Sequence, residues 1–171
     1  MPKIPEKVWN FKAYDDTDEL IGITGEITLP NLEAMSETVS GAGIMGEYES
    51  TNPGHFGSLT IELPFKSLSQ KNFSLMKSTG RPIVLRAAQQ SYDSTAGRIM
   101  HRPLKITLKG QPKSLTLGKL SPGAATETTN VMEVLYIKIE ENNTVLLELD
   151  KLNYVFILDG EDMLKDLTKM I

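Results

Sequence analysis

Val131-Met132-Glu133-Val134-Leu135-Tyr136-Ile137-Lys138-Ile139 is joined by Glu140-Glu141-Asn142-Asn143-Thr144 to Val145-Leu146-Leu147-Glu148-Leu149. Two apolar runs rich in β-formers flank five polar residues, and the two asparagines tolerate a positive φ. The segment therefore reads as an antiparallel hairpin. A further strand is expected over Tyr154 to Leu158.

Upstream, the same period of two recurs. In Leu104 to Lys109, leucine or isoleucine alternates with lysine or threonine. In Phe56 to Phe65, Leu59, Ile61, Leu63 and Phe65 oppose Ser58, Thr60 and Glu62. In Leu20 to Leu29, Ile21, Ile23, Ile27 and Leu29 oppose Thr24, Glu26 and Thr28. Alternation at this spacing marks half-buried strands of a sheet with one polar face.

Two helices are expected. One runs from about Leu68 to Ser78, with Ser69 as N-cap, Phe73 and Met76 on one side, and Gly80 and Pro82 as stops. The other closes the chain over 160–171, where Met163, Leu164, Leu167, Met170 and Ile171 make an apolar stripe. Segments 40–57 and 118–129 read as loops. The expected fold is mainly β, an antiparallel sandwich or partly closed barrel with one or two short helices, in a single domain over 1–171. Such a sheet has edges that must be blunted, covered or paired with another subunit.

Bulk properties narrow the function. The 171 residues carry 18 basic and 22 acidic side chains, a net charge of -4, with no basic block to neutralise a run of phosphates. Tight nucleic-acid binding is not expected. The chain has no cysteine, which excludes disulfides and thiolate chemistry and suits a reducing compartment. No apolar run in residues 1–20 suggests a signal peptide or membrane span.

Several chemistry-bearing patterns stand in contexts that do not support them. Gly41-Ala42-Gly43-Ile44-Met45-Gly46 matches G-x-G-x-x-G, but no apolar strand precedes it and Asn52-Pro53-Gly54 breaks any helix after it. A flexible glycine loop is the better reading. His55 and His101, the only histidines, lack close carboxylates in sequence and read as surface residues. Asp15, Asp16, Asp18 and Glu19 read as a hairpin turn rather than a metal site, lacking the central glycine of a calcium loop. Arg81, Arg86, Arg98, Arg102 and Lys105 form either a basic stripe for an acidic partner or a solvated sheet face. No catalytic, cofactor or metal residue is assigned.

The two ends of the chain resemble one family, the major tail tube proteins of contractile-tailed bacteriophages and phage-tail-like bacteriocins. The N-terminal match is Asn10, Tyr14-Asp15-Asp16, Gly22, Thr28-Leu29-Pro30 with Leu32, and the glycine loop Gly41 to Gly46. The C-terminal match is Tyr136-Ile137-Lys138, Glu148-Leu149-Asp150 with Asn153, and the turn Asp159-Gly160-Glu161-Asp162. Between them, Pro82 to Ala88 and the basic strand Lys105 to Gly110 fall in order.

The resemblance implies subunits that form stacked hexameric rings, their sheets joined into one inner β-barrel. It implies a surrounding contractile sheath, baseplate and tail-terminating proteins as partners, DNA only as passing cargo, no stable membrane insertion, and assembly in the host cytoplasm into a virion. On this reading Thr24, Glu26, Thr28, Ser58, Thr60 and Glu62 are expected to face the lumen. Segment 40–57, with Gly41, Gly43, Ile44, Met45, Gly46, Tyr48 and Pro53, is expected to be an extended loop touching a neighbouring subunit. Two alternatives stay open: the tube of a DNA-free injection particle, bacteriocin or type VI-like, and a monomeric ligand-binding β-sandwich, the latter disfavoured by only 6% aromatic residues and a single tryptophan, Trp9.

Overall fold

The computed structural model describes residues 3–171; the first two positions of the expected 1–171 domain lie outside the described residues. The strands in chain order are β1 (Lys3–Asp15), β2 (Asp18–Glu19), β3 (Ala34–Ser40), β4 (Glu47–Phe56), β5 (Thr60–Phe65), β6 (Ile83–Asp93), β7 (Arg98–Thr116), β8 (Thr128–Glu141), β9 (Thr144–Asp150), β10 (Val155–Leu158) and β11 (Glu161–Asp162). One helix, α1 (Gln70–Leu75), lies between β5 and β6.

The deciding hairpin forms as read, with Asn142 at φ 51° and Asn143 at φ 64° closing a two-residue turn. It is tighter than the five polar residues suggested because pairing continues to Glu141 opposite Thr144. The sheet runs β11-β10-β9-β8-β7-β6-β1-β2, antiparallel at every pairing. β8 is its hub. Its C-terminal half lies between β7 and β9, while its N-terminal half lies between β7 and β5. A register shift at Lys109/Gly110 lets β7 bend there. Only glycine fits, since a Cβ on Gly110 would sit 1.8 Å from the Glu133 carbonyl oxygen.

Alternation then places the core. Leu59, Ile61, Leu63 and Phe65 are all buried, as are Ile83 and Leu85, Ile106 and Leu108, and Leu147 and Leu149, so one face of a curled sheet encloses a single cluster. Each of these side chains contributes roughly 1.5–3 kcal/mol by leaving water. Leu20, Leu75, Leu164 and Phe56 cover the open side. The sheet does not close into a barrel.

Four expectations need correction. Segment 20–29 is not a strand: its pairing with β5 is limited to two isolated bridges, Ile23 to Phe65 and Thr28 to Glu62. Gly22, at φ 101°, turns the chain out of the ladder, so Leu20 is buried and Ile23 and Ile27 pack on the core, while Ile21 is 80% exposed. Helix α1 starts at the expected cap, the Ser69 backbone N–H donating to Asn72 Oδ1 at 2.9 Å. It is shorter than read, however, and buries Asn72 and Leu75 rather than Phe73 and Met76.

The helix expected over 160–171 is absent. Glu161 and Asp162 pair with Leu158 and Ile157, which takes the would-be first turn into the sheet, and only a 3-10 turn at Leu167–Lys169 remains. Segment 40–57 is no loop either. β3 and β4 pair from Ala34 with Phe56 to Ser40 with Glu47, forming a two-stranded ribbon outside the main sheet.

Candidate functional site

The glycine segment is the tip of that ribbon. Gly41, Gly43 and Gly46 take φ values of 143°, 89° and 91°, and the Ile44 N–H donates to the Gly41 carbonyl at 3.2 Å. Strand β4 follows the motif, where a dinucleotide site needs a helix. Met45 at the tip is fully exposed, and Tyr48 stands opposite Val39. Pro53 lies apart from the tip, in the irregular stretch between the pairs Ser36–Thr51 and Ala34–Phe56, where a missing N–H costs no ladder bond. Of the residues expected to act together, the structure gathers Gly41 to Tyr48 and leaves Pro53 at the base.

That base is fixed to the body. The Phe56 and Phe156 rings meet edge to face at 5.1 Å, the Gly57 N–H donates to the Glu33 carbonyl at 3.0 Å, and Lys151 Nζ donates to the Gly57 carbonyl at 2.8 Å. Beyond the base, Met35, Ser36, Glu37, Thr38 and Ser40 on β3 are exposed, as are Glu47, Tyr48 and Glu49 on β4. The ribbon stands free.

Of the second set of expected residues, Ser58, Thr60, Glu62 and Thr28 gather in a polar patch along β5, while Glu26 lines a mostly apolar hollow with Val8, Phe11 and Leu29. Thr60 faces Glu133 across the ladder, and Ser58 Oγ donates to the Glu133 carboxylate at 2.7 and 2.8 Å. Thr28 bridges to Glu62, so the loss of strand 20–29 still brings these two together. Thr24 is held by its N–H to the Pro64 carbonyl at 3.0 Å, and Glu26 is exposed beside it.

The arginines divide by face. Arg86 pairs across the ladder with Lys105, and Lys12 flanks Arg86 on the other side, giving a basic row Lys12–Arg86–Lys105 that ends at Glu140. Arg102 and Arg98 alternate onto the opposite face, Arg102 paired with Glu141 and Arg98 opposite Asp93. Arg81 precedes β6. Sequence reasoning missed Lys12, whose place in the row depends on β1 pairing with β6 across some seventy residues of chain.

Beside this row lies a concavity of about 440 Å³, lined among others by Trp9, Ala88, His101 and Pro103. His101 meets the Trp9 ring edge-on at 6.3 Å. His55 lines a different concavity, of about 520 Å³, with Tyr154 and Leu164. The acids near residue 16 make the β1–β2 turn, as read; burial raises the Asp15 carboxyl above its usual range against the opposing pull of Arg81. Among the described residues no three His, Asp or Glu side chains gather as a metal site.

Among the described residues, long edges are open on β1, on β3 and on β4. β2 covers only Tyr14 and Asp15, leaving β1 unpaired on its outer side from Lys3 to Lys12. That edge carries Pro5, two bulges and three lysines, the features by which sheets resist indiscriminate pairing. The outer edge of β3 has no proline and no basic residue, and its pairing with β4 is regular from Ser36 to Ser40.

A family model described as phage tail tube protein FII matches residues 5–171. The chain is also similar to the major tail tube protein of Serratia phage KSP20, with 23% identity over 163 residues, covering 95% of this chain and 93% of that one. Both matches take in the standing ribbon, the polar patch and the main sheet together, and the chain belongs to the phage tail tube family, whose members are structural components of the tail.

Proposed function

We propose that this protein assembles into hexameric rings that stack into a hollow tube, surrounded by a contractile sheath, through which phage DNA passes. The ribbon carries this reading. A two-stranded ribbon exposed on both faces is marginal by itself, and it gains its missing contacts when a neighbouring copy packs against it. The open β1 and β3 edges likewise suit a structure in which sheets continue from one subunit to the next. Thr24, Glu26, Thr28, Ser58, Thr60 and Glu62 are assigned to the lumen, since hydroxyls and carboxylates on the polar side of the sheet give a wet wall that does not hold DNA. Similarity to a tube protein from a phage favours a virion over a DNA-free particle.

Deleting Gly41 to Pro53 tests the assignment. The core residues lie outside the deletion, so the variant is expected to fold as a monomer with a native circular dichroism spectrum and to form no tubes. Normal tubes from it in negative-stain micrographs would refute the role of the ribbon. Rings of another order in the wild type would refute the hexamer alone.

A further inference from the structure

Charge is distributed unevenly along this chain. Segment 31–56, which contains the whole ribbon, holds Glu33, Glu37, Glu47 and Glu49 and no lysine or arginine. The other 18 acids of the chain equal its 18 basic residues, so the net charge of -4 resides in this one segment. None of the four glutamates forms an ion pair with a described residue; Glu49 only accepts a long 3.4 Å hydrogen bond from Ser36 Oγ.

The main sheet carries the complement. In the row Lys12–Arg86–Lys105, Lys12 is engaged by Glu19 at 3.2 Å, but neither Arg86 nor Lys105 has an ion pair among the described residues. Both belong to the concavity of about 440 Å³, whose floor includes Ala88 and Pro103. Glu47 and Glu49 share one face of β4, two residues and so about 7 Å apart. Arg86 and Lys105, directly opposite on neighbouring strands, are about 5 Å apart. The spacings are close enough for two carboxylates to meet two cations.

We infer that the acidic ribbon of one copy docks on the Lys12–Arg86–Lys105 row of a second copy, with Glu47 and Glu49 meeting Arg86 and Lys105. The inference rests on the self-assembly reading and specifies its contact. Acidic ribbons repel each other, and so do basic rows, which leaves the head-to-tail contact favoured. Such heterologous contacts close into rings or propagate as helices, whereas a self-complementary patch stops at a dimer. The charges set orientation, while Trp9, Ala88 and Pro103, which line the concavity, supply apolar surface.

Charge reversal tests it. One variant carries Arg86→Glu and Lys105→Glu, the other Glu47→Lys and Glu49→Lys. Each is expected to melt like the wild type, to remain unassembled alone, and to raise the critical concentration for tubes about 100-fold, as several like-charge contacts at one interface should. Mixed in equal amounts, they are expected to co-assemble, because every acidic ribbon then finds a basic row and every basic ribbon an acidic one.

Normal tubes from either variant alone would overturn the inference, as would failure of both the mixture and a single variant carrying all four reversals to recover assembly. If reversal unfolds a variant, Arg86→Gln with Lys105→Gln replaces it, expected to weaken assembly and flatten its salt dependence. Unchanged assembly and salt dependence in that variant would be equally fatal. The absence of tubes from the wild type would instead count against the proposed function itself.

Discussion

Helix α1 is tied to the sheet by two buried asparagines, and a double-mutant cycle should expose them as one unit. Asn72 and Asn130 are 0% and 1% exposed. Asn72 Nδ2 donates to Asn130 Oδ1 at 2.7 Å, and Asn130 Nδ2 donates to the Asn72 carbonyl at 3.0 Å. Asn72 Oδ1 in turn accepts the Ser69 N–H that caps the helix. Asn130→Ala strands the Asn72 amide without its acceptor, a cost of about 1–3 kcal/mol, and leaves a small void worth roughly another 1 kcal/mol. Asn72→Ala loses the cap as well, adding about 1 kcal/mol. The double variant no longer has a stranded amide, so it should lose about 1–2 kcal/mol less than the sum of the two. Urea unfolding of the unassembled subunit, followed by circular dichroism, measures all three. Additivity within about 0.5 kcal/mol would refute the claim that the pair acts together.

Gly110→Ala should be among the most disruptive single methyl additions. Its Cβ would strike the Glu133 carbonyl at 1.8 Å, in backbone that cannot yield without shifting the β7–β8 register, so a loss of about 3 kcal/mol or more is expected in the same urea assay; a wild-type midpoint would show that the bulge relaxes freely. Burial, followed by the 3.1 Å hydrogen bond to Glu148, pushes the Tyr136 hydroxyl up to about 12, while an unfolded tyrosine ionises near 10. The folded state therefore holds its proton longer, and this contribution, complete below about pH 10, is lost as the pH rises toward 12. Tyr136→Phe should show a shallower fall in stability across that window, and an identical slope would discount the tyrosine.

The body of the fold was legible because its strands bury one face only. Leu59 to Phe65 and Leu104 to Leu108 alternate cleanly, and the Asn142-Asn143 turn announces its hairpin. Segment 20–29 alternates equally well but contains Gly22 and Gly25, and periodicity carries no information about whether a partner ladder is within reach. The C-terminal stripe misled for the opposite reason. Leu164 alone is buried, and Met163, Leu167 and Met170 stay at least 46% exposed, so no surface rewards a helix there. The ribbon was hidden by its own glycines. Met35, Glu37 and Val39 alternate with Ser36, Thr38 and Ser40, a period of two that the cofactor-like motif and Asn52-Pro53-Gly54 drew attention from. The basic row was half visible, since Arg86 and Lys105 could be named but the face they share with Lys12 is set by register alone.

A subunit of this kind must stay soluble before assembly and associate in one way afterwards, and the two requirements constrain the same residues. Its apolar surface outside the core includes Ile4, Val8 and Trp9 on β1, and Met35 and Tyr48 on the ribbon, each about half exposed or more. Left unprotected, such surfaces beside open strand edges invite pairing of any two copies in any register. On β1, Pro5, two bulges and three lysines prevent that sterically and electrostatically. The β3 edge of the ribbon has neither proline nor lysine and pairs regularly from Ser36 to Ser40, so it should be the more hazardous of the two. Its protection is the uncompensated charge of its glutamates, which repels another ribbon but not a basic row. The same carboxylates can therefore suppress the wrong contact and select the right one, so the ribbon can remain regular enough to be completed by a neighbour.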